Sequence, residues 1–170
     1  MTETAHSTMN LAIDLEIEAS PLRVFNAITN GVSNWWGRNY FESAEDAVDI
    51  LLEPRLGGKF FERWSLDPKS HDGALLGTVV AFKQAKLLRL RGTFGMGDTL
   101  IQGLVEYELL ASEHGTRLKF NHQASGQISD ETKERYSTSW RDLLGSLKLY
   151  LEQGQAEGIR HEPYLPHSNV

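Results

Sequence analysis

The chain opens on a strict alternation. Leu11, Ile13, Leu15 and Ile17 are apolar, with Ala12, Asp14, Glu16 and Glu18 set between and after them. A period of two predicts a strand with one dry and one wet face. Residues 1–8 before it read as a disordered lead. Ser20-Pro21 then marks a helix start, the serine as cap and the proline in the first turn. Val24, Phe25 and Ile28 share one face of that helix, and Asn30-Gly31 ends it. A second short helix or turn carries Trp35 and Trp36.

A run of strands follows. Val48, Ile50 and Leu52 alternate, and Glu53-Pro54-Arg55-Leu56-Gly57-Gly58 is a turn. Phe60, Glu62 and Trp64 fall on one face of the next strand, with Lys59, Phe61 and Arg63 on the other. Residues 67–73 form a polar hairpin loop, and 75–82 and 87–91 are two more strands. Residues 93–98 are a glycine-rich connection. Ile101, Gly103, Val105, Tyr107 and Leu109 define a long strand, and Leu118, Phe120, His122 and Ala124 the one after it.

The period changes after Asp130. Tyr136, Trp140, Leu143, Leu144, Leu147, Tyr150 and Leu151 recur at steps of three and four up to Gln153, and Gly154 stops them. Residues 155–170 hold two prolines and no period, and read as a tail. The domain is therefore expected over 9–154. Successive strands with short turns predict an antiparallel sheet, and a helix with one apolar stripe has to lie across one face of it. The fold class is α+β: a curved sheet around one long C-terminal helix, with two short helices after the first strand. Gly57, Gly58, Gly92 and Gly103 are the expected places for bends and bulges.

Composition narrows the function. The chain has 170 residues, enough to bury about 70% of its extended surface. It has no cysteine, which excludes disulfides, thiolate metal sites and a cysteine nucleophile. Lys and Arg number 17 against 23 Asp and Glu, a formal charge of −6 that argues against nucleic acid. No apolar run approaches the roughly 20 residues of a membrane span, and the first ten residues lack a signal-peptide layout. A cytoplasmic location is the expectation. The run Gly92-Thr93-Phe94-Gly95-Met96-Gly97 has neither the order of a dinucleotide fingerprint nor a following helix, and Gly58-Lys59 is followed by Phe60, so no phosphate loop is expected. His161 and His167 lack the spacing of a zinc protease motif, and no metal or cofactor is expected.

The layout resembles the START-like, or SRPBCC, helix-grip superfamily, in the branch related to the C-terminal domain of the activator of Hsp90 ATPase. The residues that carry the resemblance run from Ile17-Glu18-Ala19-Ser20-Pro21 through Trp35-Trp36 and Arg55-Leu56-Gly57-Gly58-Lys59-Phe60 to Gly77-Thr78-Val79 and Leu88. Gly115-Thr116-Arg117-Leu118, His122, Trp140, Leu144 and Leu147 complete the set. Two positions depart from the pattern. Ser139 stands where the family often has glycine, and Glu62 where it is usually apolar or aromatic.

The resemblance implies a cavity between sheet and helix that takes a small hydrophobic or amphipathic molecule. Parity places Phe60, Trp64, Leu88, Leu90, Val105, Tyr107, Leu118 and Phe120 on the wall, faced by Tyr136 and Trp140; Trp36 joins them, and Phe94 and Met96 are expected as a lid. Glu62 and His122 are the polar groups on the inward face. A buried carboxylate needs a partner, for which His122, Tyr107, Tyr136 or pocket water are candidates. Glu62→Gln is accordingly expected to change ligand affinity more than stability. The pair reads either as ligand anchors and structural bonds, or as an acid–base pair of the kind a polyketide cyclase or aromatase would use. A third reading, a co-chaperone of Hsp90, follows from the resemblance alone. A homodimer is a further expectation. Outward Lys59, Arg63, Arg89, Arg91, Arg117 and Lys119 read as the wet sheet face, interleaved with Glu106 and Glu108.

Overall fold

The computed structural model describes residues 5–95 and 100–154. Its seven strands are β1 (Ser7–Ile17), β2 (Asp49–Leu52), β3 (Lys59–Arg63), β4 (Gly73–Lys83), β5 (Leu87–Gly92), β6 (Ile101–Ser112) and β7 (Gly115–Gly126). They form one antiparallel sheet in the order β1-β7-β6-β5-β4-β3-β2, so the first strand lies beside the last and the sheet stays open between β1 and β2. Helix α1 (Pro21–Ile28) and two single-turn helices, Val32–Asn34 and Arg38–Tyr40, lead from one edge of the sheet to the other. Helix α2 (Asp130–Gln153) closes the domain against the inner face.

Both longer helices start and stop where their chemistry dictates. The Ser20 hydroxyl accepts from the Arg23 N–H, with Pro21 in the first turn. The Ser129 hydroxyl accepts from the Thr132 N–H, and Asp130 and Glu131 put negative charge at the positive end of α2. Gly154 ends α2 at φ 71°, a left-handed cap that an L side chain resists. Val24, Phe25 and Ile28 of α1 are buried, as are Trp140, Leu143, Leu144, Leu147 and Leu151 of α2. One core joins these residues to Leu88, Leu90, Val105, Leu118 and Phe120 of the sheet.

Three expectations need correction. Ser7 and Thr8, expected in the lead, already belong to β1 and pair with Gly126 and Ser125. An alternation of apolar residues marks a strand only where one face is dry, and the start of β1 carries polar Ser7 and Thr8. The bulges lie in β4, where the register slips opposite Phe60/Phe61 and again between Val79 and Ala81, and not at the four glycines. Gly92 serves the first bulge from across the sheet. A Cβ there would stand 2.2 Å from the bulged Leu76 carbonyl oxygen. Trp64 lies past the end of β3, its N–H already on the Asp72 carbonyl of the hairpin, so strand parity does not carry it onto the wall. The expectations for residues 1–4, Met96 and 155–170, with His161 and His167, concern residues outside those described.

The wet face is charge-paired. Arg89 meets Glu106 at 2.6 Å and Arg117 meets Asp14 at 2.6 Å. Among the described residues no helix is long and apolar enough to cross a membrane.

Candidate functional site: an aromatic pocket beside the long helix

A pocket of about 290 Å³ opens beside the N-terminal half of α2. That helix contributes Arg135, Tyr136, Ser139, Trp140 and Leu143, spaced so that they share one side. Phe60 of β3 and Leu76 of the β4 bulge form the sheet side, and Phe94 and Gly95 the corner after β5. The fourth side is Trp36 with Asn39, Tyr40, Phe41 and Glu42. The pocket is more enclosed than the surface grooves elsewhere, such as the one over Met9, Gly103 and Ala124.

The wall nearest the core is an aromatic stack. Trp36 packs edge-on against Phe60 at 5.3 Å and against Trp140 at 5.7 Å. Trp140 lies 4.4 Å from Phe120, which in turn meets Tyr107 at 5.2 Å. Five of the expected residues, Trp36, Phe60, Phe94, Tyr136 and Trp140, therefore line the pocket. Leu90, Tyr107 and Phe120 do not. They are buried in the core, Phe120 against Trp140 and Tyr107 against Phe120. Parity finds the inward face but not the gap between inward faces. Burial raises the Tyr107 phenol far above its ordinary value, so it stays protonated there.

Glu62 is fully buried and does not line the pocket. Its carboxylate accepts the backbone N–H of Glu42, the N–H of Ser43 at 3.2 Å and the indole N–H of Trp64 at 3.1 Å. None of the partners expected for it, His122, Tyr107 or Tyr136, is among these. Instead, a strand carboxylate holds the 38–46 segment, of which Asn39 to Glu42 form the outer pocket wall, and Trp64 is its third donor. The segment has a second tie. The Tyr40 hydroxyl donates to the Asp142 carboxylate of α2 at 2.9 Å. Partial burial and then that carboxylate push the Tyr40 phenol up to about 12.

His122 is likewise fully buried, behind Phe94, Tyr136 and Trp140 rather than on the pocket surface. Its Nδ1 accepts the Trp140 indole N–H at 2.9 Å. Desolvation pushes the imidazole down to about 4, so it is neutral near pH 7. Its Nε2 and the Trp36 indole nitrogen are buried without a hydrogen-bond partner among the described residues. Phe94 is no outer lid. It is 7% exposed and belongs to the core, with φ at 48°. A non-glycine residue in that region is strained, and two backbone bonds hold it there: its N–H to the Leu76 carbonyl and its carbonyl from the Tyr136 hydroxyl.

The 38–46 segment, Leu76, Arg135, Ser139 and Leu143 were not expected at the pocket, and Gly95 only as part of the glycine-rich connection. Two signals pointed to the segment: Tyr40-Phe41 in an aperiodic stretch, and a strand carboxylate in need of donors. Arg135 stands at the mouth with its guanidinium carbon 5.8 Å from the Tyr136 ring centre.

Residues 18–152 match the family described as activator of Hsp90 ATPase homolog 1-like protein. The chain belongs to this family. Solved structures share the helix-grip fold. An uncharacterized protein from Rhizobium leguminosarum is 19% identical, with a TM-score of 0.64 over 88% of this chain and 97% of that one. A Staphylococcus aureus protein of unknown function is 16% identical, with a TM-score of 0.62 over 88% and 96%. CalU16 from Micromonospora echinospora is 17% identical, with a TM-score of 0.59 over 92% and 88%. At these identities the likeness establishes the fold. A search of the curated proteins found no match.

Proposed function

We propose that this family member binds a small, largely aromatic molecule in the pocket between α2 and the 38–46 segment. The observation that carries the reading is the pocket itself: about 290 Å³, walled by Trp36, Phe60, Phe94, Tyr136 and Trp140. Apolar concave sites with a few polar groups are the usual form of small-molecule sites, and this one lies at the small end of their range. Its volume is roughly twice that of the ~150 Å³ engineered cavity that takes benzene. One or two rings fit that space; a sterol or a four-ring polyketide does not.

Binding, rather than acid–base catalysis, is the reading the polar groups favour. The Glu62 carboxylate is occupied by three donors and His122 Nδ1 by Trp140, so neither offers a free base to a molecule in the pocket. The test is calorimetry and thermal melting with indole, acetophenone and 2-naphthol. The melting temperature of the wild type should rise with at least one of them. Ser139→Trp, which fills the pocket from its half-buried helix wall, should melt like the wild type and lose the response. A panel that shifts neither protein would end the reading.

A further inference from the structure

The His122 ring has a fixed tautomer and an unused donor. An indole N–H can only donate, so Nδ1, which receives the Trp140 bond, carries no proton. The neutral ring then bears its proton on Nε2. That N–H is fully buried and meets no acceptor among the described residues. Buried donors in folded proteins are nearly always paired, and a standing exception calls for an explanation.

The space around this donor is kept clear by glycine. A Cβ on Gly103 would stand 3.0 Å from Nε2, and a Cβ on Gly77 would stand 3.1 Å from the Phe94 ring. Phe94 packs its ring against Gly77. Its ring lies edge-on to His122 at 5.3 Å, while its other side faces the pocket. Its backbone is strained and doubly bonded in place, but the side chain is held by packing alone. A rotation about χ1 would join the space it vacates to the pocket.

We propose that Phe94 is a displaceable plug, and that the space beneath it, bounded by Gly77 and Gly103 and headed by the His122 Nε2–H, is a subsite for a neutral aromatic carbonyl compound. The ligand's ring takes the place of the Phe94 ring, and its oxygen accepts the orphan proton. A carboxylate is disfavoured, because an enclosed apolar space penalises an unpaired charge and the nearest cation among the pocket-lining residues, Arg135, is exposed at the mouth. Desolvation of His122, which holds it neutral, agrees with a neutral acceptor. The inference rests on the reading of the pocket as a small-molecule site.

The test compares acetophenone with α-methylstyrene, the same shape with a CH2 in place of the oxygen, and with benzoate. Wild-type protein should bind acetophenone about tenfold more tightly than either, the expected value of one added neutral hydrogen bond. On saturation with acetophenone, the Nε2–H proton resonance of His122 should move downfield, while α-methylstyrene leaves it unshifted by hydrogen bonding. Phe94→Ala should tighten acetophenone binding, because no ring has to leave. Gly103→Ala, which sets a methyl against Nε2, should abolish the preference for the oxygen. Equal affinity for acetophenone and α-methylstyrene, with the His122 resonance unmoved in the wild type, overturns the subsite and leaves the pocket reading standing. Binding of none of the three overturns the subsite, and the pocket reading falls with it when indole and 2-naphthol also fail to bind. The wild-type spectrum decides the matter even where a variant fails to fold.

Discussion

The indole nitrogen of Trp140 donates to Nδ1 of His122 across 2.9 Å, joining the long helix to the penultimate element of the chain inside the core. It is the polar bond at the centre of an aromatic cluster that includes Phe94, Phe120 and Tyr136. Trp140→Phe keeps most of the ring and orphans Nδ1. It should cost about 1–3 kcal/mol, the penalty of an unmet buried acceptor. Trp140→Ala should cost roughly 3–5 kcal/mol, since the indole is packed core as well as pocket wall. Urea unfolding measures both, and a negligible loss for Trp140→Phe would mean that packing alone matters here.

The same histidine makes stability depend on pH. Its folded value is about 4 and its unfolded value near 6.5, so the unfolded chain binds the proton more readily between them. The His122 contribution is complete above pH 6.5, falls as pH drops towards 4, and levels off below. The whole step is worth roughly 3 kcal/mol. The rings facing it, Phe94, Tyr136 and Trp140, bring no charge to offset this. NMR titration of the folded protein should leave the His122 ring untitrated above pH 5; a midpoint near 6.5 would contradict its burial.

Glu62→Gln should loosen the 38–46 segment. An amide has one accepting oxygen, and its NH2 would confront the N–H groups of Glu42, Ser43 or Trp64. The expected loss is about 1–3 kcal/mol, with faster amide exchange at Glu42 and Ser43. This reverses the expectation from sequence that the change would spare stability. Unchanged exchange at both amides would show that the carboxylate is not the tie.

Asp142→Asn should bring the Tyr40 phenol down from about 12, but only part of the way to 10, because burial is the larger cause. Ultraviolet titration of the tyrosinate reads this directly. A full return to 10 would make the Asp142 bond the main influence.

The architecture was legible in the sequence because each element repeats its signal. Leu11 to Ile17 alternate, the Trp140 to Leu151 stripe keeps helical steps, and Ser20 and Gly154 punctuate them. The site was legible only in part. Phe60, Tyr136 and Trp140 lie on periodic elements, so their direction followed from spacing. Whether Tyr107 and Phe120 met a helix or a void depended on how closely α2 approaches, which no period encodes. Trp64 failed because strand parity ends with the strand. Asn39 to Glu42 lie on aperiodic backbone held by Glu62 and Asp142, and long-range bonds of that kind leave no local trace.

The pairing of the first strand with the last leaves β1 without its partner until β7 has been made. Residues of β1 find their partners only in 116–126, on the far side of the intervening sheet. At a synthesis rate of about 5–20 residues per second, the finished β1 waits some 5–20 seconds for β7. Throughout that time its apolar face and its ladder of backbone groups are without their neighbour. Asp14 and Glu16 put charge on the unpaired strand, which disfavours pairing with other chains, before the same Asp14 takes up Arg117 in the completed sheet.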